Sequence, residues 1–190
     1  MTEPPQQRIL ITGPTKSGKS EWAEQLAQQS AQAVVYVATS QISPEDAEWQ
    51  ARIAVHQQRR PAGWQTLEVP VDLAAALAQA ATADCWLVDS LGTWVANQLG
   101  LSEAAWQQES TQLLATIAEF PGRLILVAEE TGWGVVPAYP LGRTFRDRLG
   151  ALTRQVGAIA DVTYLVTAGF AIDLSQVGTP INCAVESPLT

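Results

Sequence analysis

The octet Gly13-Pro14-Thr15-Lys16-Ser17-Gly18-Lys19-Ser20 fits the pattern G-x-x-x-x-G-K-[ST]. Its residue types suit one task, the wrapping of a polyphosphate. Glycines let the backbone approach the anion closely, so that successive N–H groups can point inward. A helix beginning after Gly18 would aim its positive end at the same charge. Lys19, expected exposed at that helix start, would place its ammonium by the β- and γ-phosphates, and the Ser20 hydroxyl would ligate Mg²⁺. Asp89 closes the apolar run CWLVD, at a strand end where a P-loop protein needs an acid near the metal, although Asp also ends strands simply as a turn former.

A second group of residues is basic. His56 is the only histidine of the chain. A helix from Pro44 to about Arg59 would put Arg52 and His56 on one face, with Arg60 continuing the line and Pro61 ending it. Neighbouring cations would keep the imidazole neutral and nucleophilic while attracting a triphosphate. A neutral imidazole facing an α-phosphate can accept a nucleotidyl group. Solvated cations at a helix C-terminus explain the same residues without chemistry.

These residues need a scaffold that brings strand ends together. Five short apolar runs, at 8–12, 34–39, 85–89, 123–128 and 162–167, are near-continuous rather than alternating, as in strands covered on both faces. The intervening stretches are long enough for crossover helices. Ser43-Pro44-Glu45-Asp46 reads as a helix start. Trp106, Leu113, Ile117 and Phe120 share one face of a helix over 102–120 that Pro121-Gly122 stops. Alanine-rich 71–83 reads as another helix, and the residues from Gly169 as an edge strand or tail. The alternation predicts an α/β fold with a mostly parallel central sheet flanked by helices. Residues 1–7 read as a flexible N-terminus and 8–190 as a single domain.

Composition narrows the partners. A formal charge of −8 disfavours non-specific nucleic-acid binding. The two cysteines, Cys85 and Cys183, have no metal-ligand spacing and suggest a reduced, cytoplasmic setting. The N-terminus is unlike a signal peptide, and no run reaches membrane-span length.

Taken in order, ILITGPTKSGKS, VVYVATSQI, ARIAVHQQRRPAGWQTLEVP, LVDSLGTWVAN and the block EETGWGVVP to LGRTFRD resemble the bifunctional adenosylcobinamide kinase/adenosylcobinamide-phosphate guanylyltransferase family of cobalamin biosynthesis. The resemblance spans roughly residues 8 to 170. Its most specific part is R-I-x-x-H-x-x-R-R-P followed by W-x-T-x-E.

The resemblance implies a RecA-like P-loop NTPase fold and a two-step enzyme with GTP and ATP as substrates. A nucleoside triphosphate would phosphorylate adenosylcobinamide. GTP would then guanylylate His56, and GMP would pass to adenosylcobinamide phosphate. Ala38, Thr39 and Ser40 would lie beside the nucleotide, while Gln57, Gln58, Arg59, Arg60 and Glu68 would contact the guanylyl group. The family also implies a homo-oligomer, specifically a trimer. The chain departs from the family pattern at Glu129-Glu130-Thr131 and at Thr153-Arg154. Two other readings stay open: a P-loop small-molecule kinase without guanylyl transfer, and a non-catalytic nucleotide-binding module.

Overall fold

A computed structural model describes residues 6–41, 60–81 and 83–181 of the chain. The proposed helix over 44–59, with Arg52, His56, Gln57, Gln58 and Arg59, lies outside the described residues.

The described elements are β1 (Gln7–Gly13), α1 (Lys19–Gln29), β2 (Ala33–Ala38), β3 (Gln65–Glu68), α2 (Leu73–Leu77), β4 (Asp84–Asp89), α3 (Leu91–Asn97), α4 (Glu103–Ala118), β5 (Arg123–Glu129), α5 (Pro140–Ile159), β6 (Val162–Thr167), β7 (Phe170–Asp173) and α6 (Leu174–Val177). They form one sheet of order β3-β2-β4-β5-β1-β6-β7. Every pairing is parallel except the antiparallel β6–β7 edge. Parallel pairing brings the C-terminal ends of the strands to one rim, where ligands bind in open α/β sheets.

The apolar runs are continuous because both faces are covered. Successive residues alternate between two cores. Leu10, Trp86, Val88, Leu124 and Leu126 face one core, which α3, α4 and α5 cover. Ile9, Ile11, Cys85, Leu87, Ile125 and Val127 face the other, closed by Ala23 and Ala27 of α1. Trp106, Leu113, Ile117 and Phe120 are all buried, as their helical spacing requires. Ser102 caps α4 by accepting a hydrogen bond from Ala105 N–H.

Gln7 and the 71–83 helix depart from the sequence reading, and the alternative left open after Gly169 is decided for the edge strand. Gln7 belongs to β1 rather than to the N-terminal stretch, because it pairs with Arg123 and its N–H donates to Gly122 O. The 71–83 helix shrinks to α2, since beyond Ala78 the Gln79 and Ala80 N–H groups bond to the carbonyls three residues back, a tighter turn. The residues after Gly169 form the edge strand β7, tied to β6 from Tyr164↔Asp173 to Thr167↔Phe170.

Candidate active site

Residues 13–20 join β1 to α1, so the glycine-rich octet is a strand-to-helix turn. Gly13 has φ +149°, and a Cβ placed there would stand 2.1 Å from the Val166 carbonyl oxygen. Only glycine lets β1 pass that close to β6. Gly18 occupies the position before α1 with φ +98°, and Lys16 has φ +58°. The loop thus turns through the left-handed region twice, as a chain must to curl its N–H groups around an anion.

Lys19 corrects the sequence expectation of an exposed lysine. It is only 7% exposed, and its Nζ donates a 2.8 Å hydrogen bond to Pro14 O, so the loop folds over its own lysine. Burial lowers its pKa, and the charges of Glu129 and Asp89 oppose that shift. Both carboxylates therefore stand in electrostatic reach of the ammonium.

The rim aligns the other candidates. Register sets Glu68, Ala38 and Asp89 abreast at the ends of β3, β2 and β4, and Gly13 beside Glu129 at the ends of β1 and β5. Asp89 Oδ2 accepts a 2.9 Å hydrogen bond from the Tyr36 hydroxyl. The Arg60 guanidinium lies 3.4 Å above the centroid of the same Tyr36 ring, a cation–π contact. Arg60 also opens a cleft of about 420 Å³, lined with Pro61, Ala62, Trp64, Thr66 and the exposed Glu68. That volume lies within the range of small-ligand sites.

Thr39 is fully buried, and its hydroxyl is committed to structure. Its Oγ1 donates to Ser90 O at 2.6 Å, accepts from Ser90 N–H at 2.9 Å and touches Thr93 Oγ1. Thr39 therefore locks the end of β2 to the start of α3, while Ser40 beside it is part-exposed. Ser90 continues this network, donating from Oγ to Glu129 Oε1 at 2.5 Å. The other carboxylate oxygen, Oε2, is shielded from solvent without a hydrogen-bond partner among the described residues. A Cβ on Gly92 would come within 1.9 Å of it. Burial raises the Glu129 pKa, and the Ser90 hydrogen bond opposes that shift. Next along the chain, Glu130 Oε1 accepts from Thr12 Oγ1 of the neighbouring strand β1 at 3.0 Å, and Glu130 N–H donates to Gly13 O at 2.9 Å.

Sequence reasoning named Arg60, Glu68 and Asp89 but missed Tyr36, Ser90, Thr93 and Glu129. A tyrosine in the otherwise aliphatic run VVYV was the available signal. The Ser90-x-x-Thr93 spacing was another, since together these residues form a capping box for α3.

Ser20 and Asp89 offer hard oxygen donors suited to Mg²⁺. Among the described residues no cluster of three or more His, Cys, Asp or Glu could cage a metal by itself. A cation held by one or two side chains and by substrate phosphates fits that donor set. Among the described residues no helix is long and apolar enough to cross a membrane.

The glycine-rich strand-to-helix turn, the mostly parallel sheet and the acid-bearing β4, separated from β1 by one inserted strand, define a P-loop NTPase fold. Solved structures agree on the fold. A protein of Pyrococcus horikoshii OT3 matches with TM-score 0.53 at 6% identity, over 88% of this chain and 85% of that one. An ATPase from the type III secretion system of pathogenic bacteria matches with TM-score 0.51 at 11% identity, over 93% and 55%.

Within that class, residues 9–174 match the model of the cobinamide kinase/cobinamide phosphate guanyltransferase family, and the chain belongs to it. The bifunctional adenosylcobalamin biosynthesis protein CobP of Pseudomonas aeruginosa is 43% identical over 92% of this chain and 99% of its own. The corresponding CobU proteins of Salmonella typhimurium and Escherichia coli are 36% and 35% identical, each over 87% of this chain and 98% of its own.

Proposed function

We propose that this chain uses one nucleotide rim for two successive transfers. In the first, the hydroxyl of adenosylcobinamide attacks the γ-phosphate of a nucleoside triphosphate, forming a P–O bond and releasing the diphosphate. Positioning and charge neutralisation carry such a step. The residues 13–20 supply the backbone cradle, and Lys19 the cation for the β- and γ-oxygens. Ser20 and Asp89 would hold Mg²⁺, which neutralises phosphate charge.

In the second transfer, an imidazole nitrogen of His56 attacks the α-phosphorus of GTP. A P–N bond forms, the α–β bridge breaks and pyrophosphate leaves. A phosphate oxygen of adenosylcobinamide phosphate then attacks the guanylyl phosphorus, giving adenosylcobinamide-GDP and restoring His56. Arg59 and Arg60 would neutralise the departing phosphates, with Gln57, Gln58 and Glu68 on the guanylyl group and Ala38-Thr39-Ser40 beside the nucleotide. The observation that carries this reading is Tyr36, which touches both Arg60 and Asp89 and so joins the basic segment to the phosphate rim. The family's pattern adds a cytoplasmic homotrimer, which sedimentation can check.

GTP labelled at the α-phosphate tests the covalent step. The protein should retain labelled GMP in an acid-labile, base-stable bond and release one equivalent of pyrophosphate. His56→Ala should lose the label and the guanylyl transfer while still phosphorylating adenosylcobinamide. Label persisting in that variant refutes the role of His56. A wild-type chain that phosphorylates but takes no label is a kinase alone.

A further inference from the structure

The segment 131–142, TGWGVVPAYPLG, contains no Asp, Glu, Lys or Arg, although the chain carries a net −8. Residues 131–139 lie between β5 and α5, 140–142 open α5, and the segment displays its large apolar side chains to solvent. Trp133 is 62% exposed, Val135 94%, Val136 60%, Tyr139 79% and Leu141 59%. So concentrated an apolar display on an acidic protein marks a contact surface.

The segment is braced rather than loose. Arg143 Nη1 donates to Pro137 O at 3.0 Å and to Ala138 O at 2.8 Å. A Cβ on Gly142 would meet Pro137 Cβ at 2.8 Å, so the turn lies tight against the start of α5. Aromatic rings on a fixed backbone lose little entropy when they take up a ligand, which makes them effective anchors.

Its position selects the occupant. The segment follows directly on Glu130, whose N–H bonds to Gly13 O at the mouth of the phosphate loop. The cleft beside Arg60 and Glu68 lies toward the opposite, β3 edge of the sheet. The segment leaves the sheet from β5, the strand that pairs directly with β1, so a ligand on 131–142 would stand next to the phosphate loop. The phosphate acceptor of this family is a cobinamide, whose flat macrocycle is far larger than its reacting hydroxyl arm. Such a molecule needs a broad, uncharged face next to the phosphate loop to hold that arm in line with the γ-phosphate.

We infer that residues 131–142 form the docking face for the corrinoid macrocycle, with Trp133 and Tyr139 as its aromatic anchors. The inference rests on the proposed kinase reading and names the acceptor's subsite.

Equilibrium dialysis of adenosylcobinamide, read by its visible absorbance, tests it together with steady-state kinetics. Trp133→Ala/Tyr139→Ala should raise the corrinoid Kd and KM about tenfold or more, as loss of two stacking rings implies. The nucleotide KM should move far less, and Trp133→Phe should recover much of the loss. Val135→Ser, at the most exposed of these positions, supplies a second variant that keeps both rings and should raise the same constants less. Wild-type corrinoid affinity in both variants overturns the inference and leaves the kinase reading standing. A changed sedimentation coefficient with intact corrinoid affinity assigns the face to contacts between copies and also overturns it. A wild-type chain that binds no adenosylcobinamide overturns both the inference and the reading beneath it.

Discussion

The Tyr36 hydroxyl donates to Asp89 Oδ2 at 2.9 Å, across two paired strands whose ends meet at Ala38↔Asp89. One ring thereby orients the carboxylate with its hydroxyl and carries Arg60 on its face at 3.4 Å. A hydrogen bond to a charged group contributes about 1.5–3 kcal/mol. Tyr36→Phe keeps the ring and removes only that bond. It is expected to lower turnover roughly tenfold, the lower end of that range, and to raise the Mg²⁺ needed for half-maximal rate. Asp89→Asn should shift the Mg²⁺ titration further in the same direction. Superimposable titrations of wild type and Tyr36→Phe would disconnect the ring from the metal requirement.

On the proposed kinase step, Lys19→Ala should abolish nucleotide-dependent turnover, with a loss of roughly 100-fold or more, since it would remove a fixed cation from the transferring phosphoryl group. Circular dichroism should match the wild type, because β1 and α1 do not depend on the Nζ–Pro14 O bond. Turnover and nucleotide affinity both equal to the wild type would remove Lys19 from the phosphate site.

Gly13→Ala is expected to be among the most damaging small changes in the chain. A methyl group 2.1 Å from Val166 O cannot be accommodated unless β1 and β6 move apart, and φ +149° already disfavours a side chain. Clash and strain together should cost about 3 kcal/mol or more. Chemical denaturation measures it; a midpoint equal to the wild type would mean that the loop relaxes freely.

Glu129 gives a pH dependence with a definite sign. Burial raises its folded-state pKa above the ordinary carboxylate value. The folded state therefore holds this proton to higher pH than the unfolded state, and stability falls as pH rises from the ordinary value through the folded one. Glu129→Gln cannot titrate. Its melting temperature minus that of the wild type should grow as pH rises across that window and level off above it. A difference independent of pH would show that the buried carboxyl has an ordinary pKa.

Local patterns in the sequence carried much of this molecule. The octet 13–20 announces its own turn, because the positive φ at Gly13 and Gly18 and the following helix are requirements of the nearest few residues, although the Val166 carbonyl that also excludes a side chain at Gly13 is not among them. The buried strands were legible for a similar reason. A strand covered on both faces must be apolar throughout, and no partner needs to be known for that to show. The helix face of Trp106, Leu113 and Ile117 follows equally from 3.6-residue spacing.

Tertiary structure decided what touches what at the rim. Tyr36 and Asp89 are separated by 53 residues, and nothing near either one in sequence signals the other. They meet because β2 pairs with β4 rather than with β1, an order fixed by how helices cover the two sheet faces. Lys19 is exposed by local rule and buried in fact, since the loop closes on it through Pro14 O. Glu129, a strand-end acid by sequence, is sequestered by Ser90 from α3 and by the missing side chain of Gly92. Spacing along a chain fixes which face a residue takes, whereas burial and charge coupling depend on the elements packed against that face.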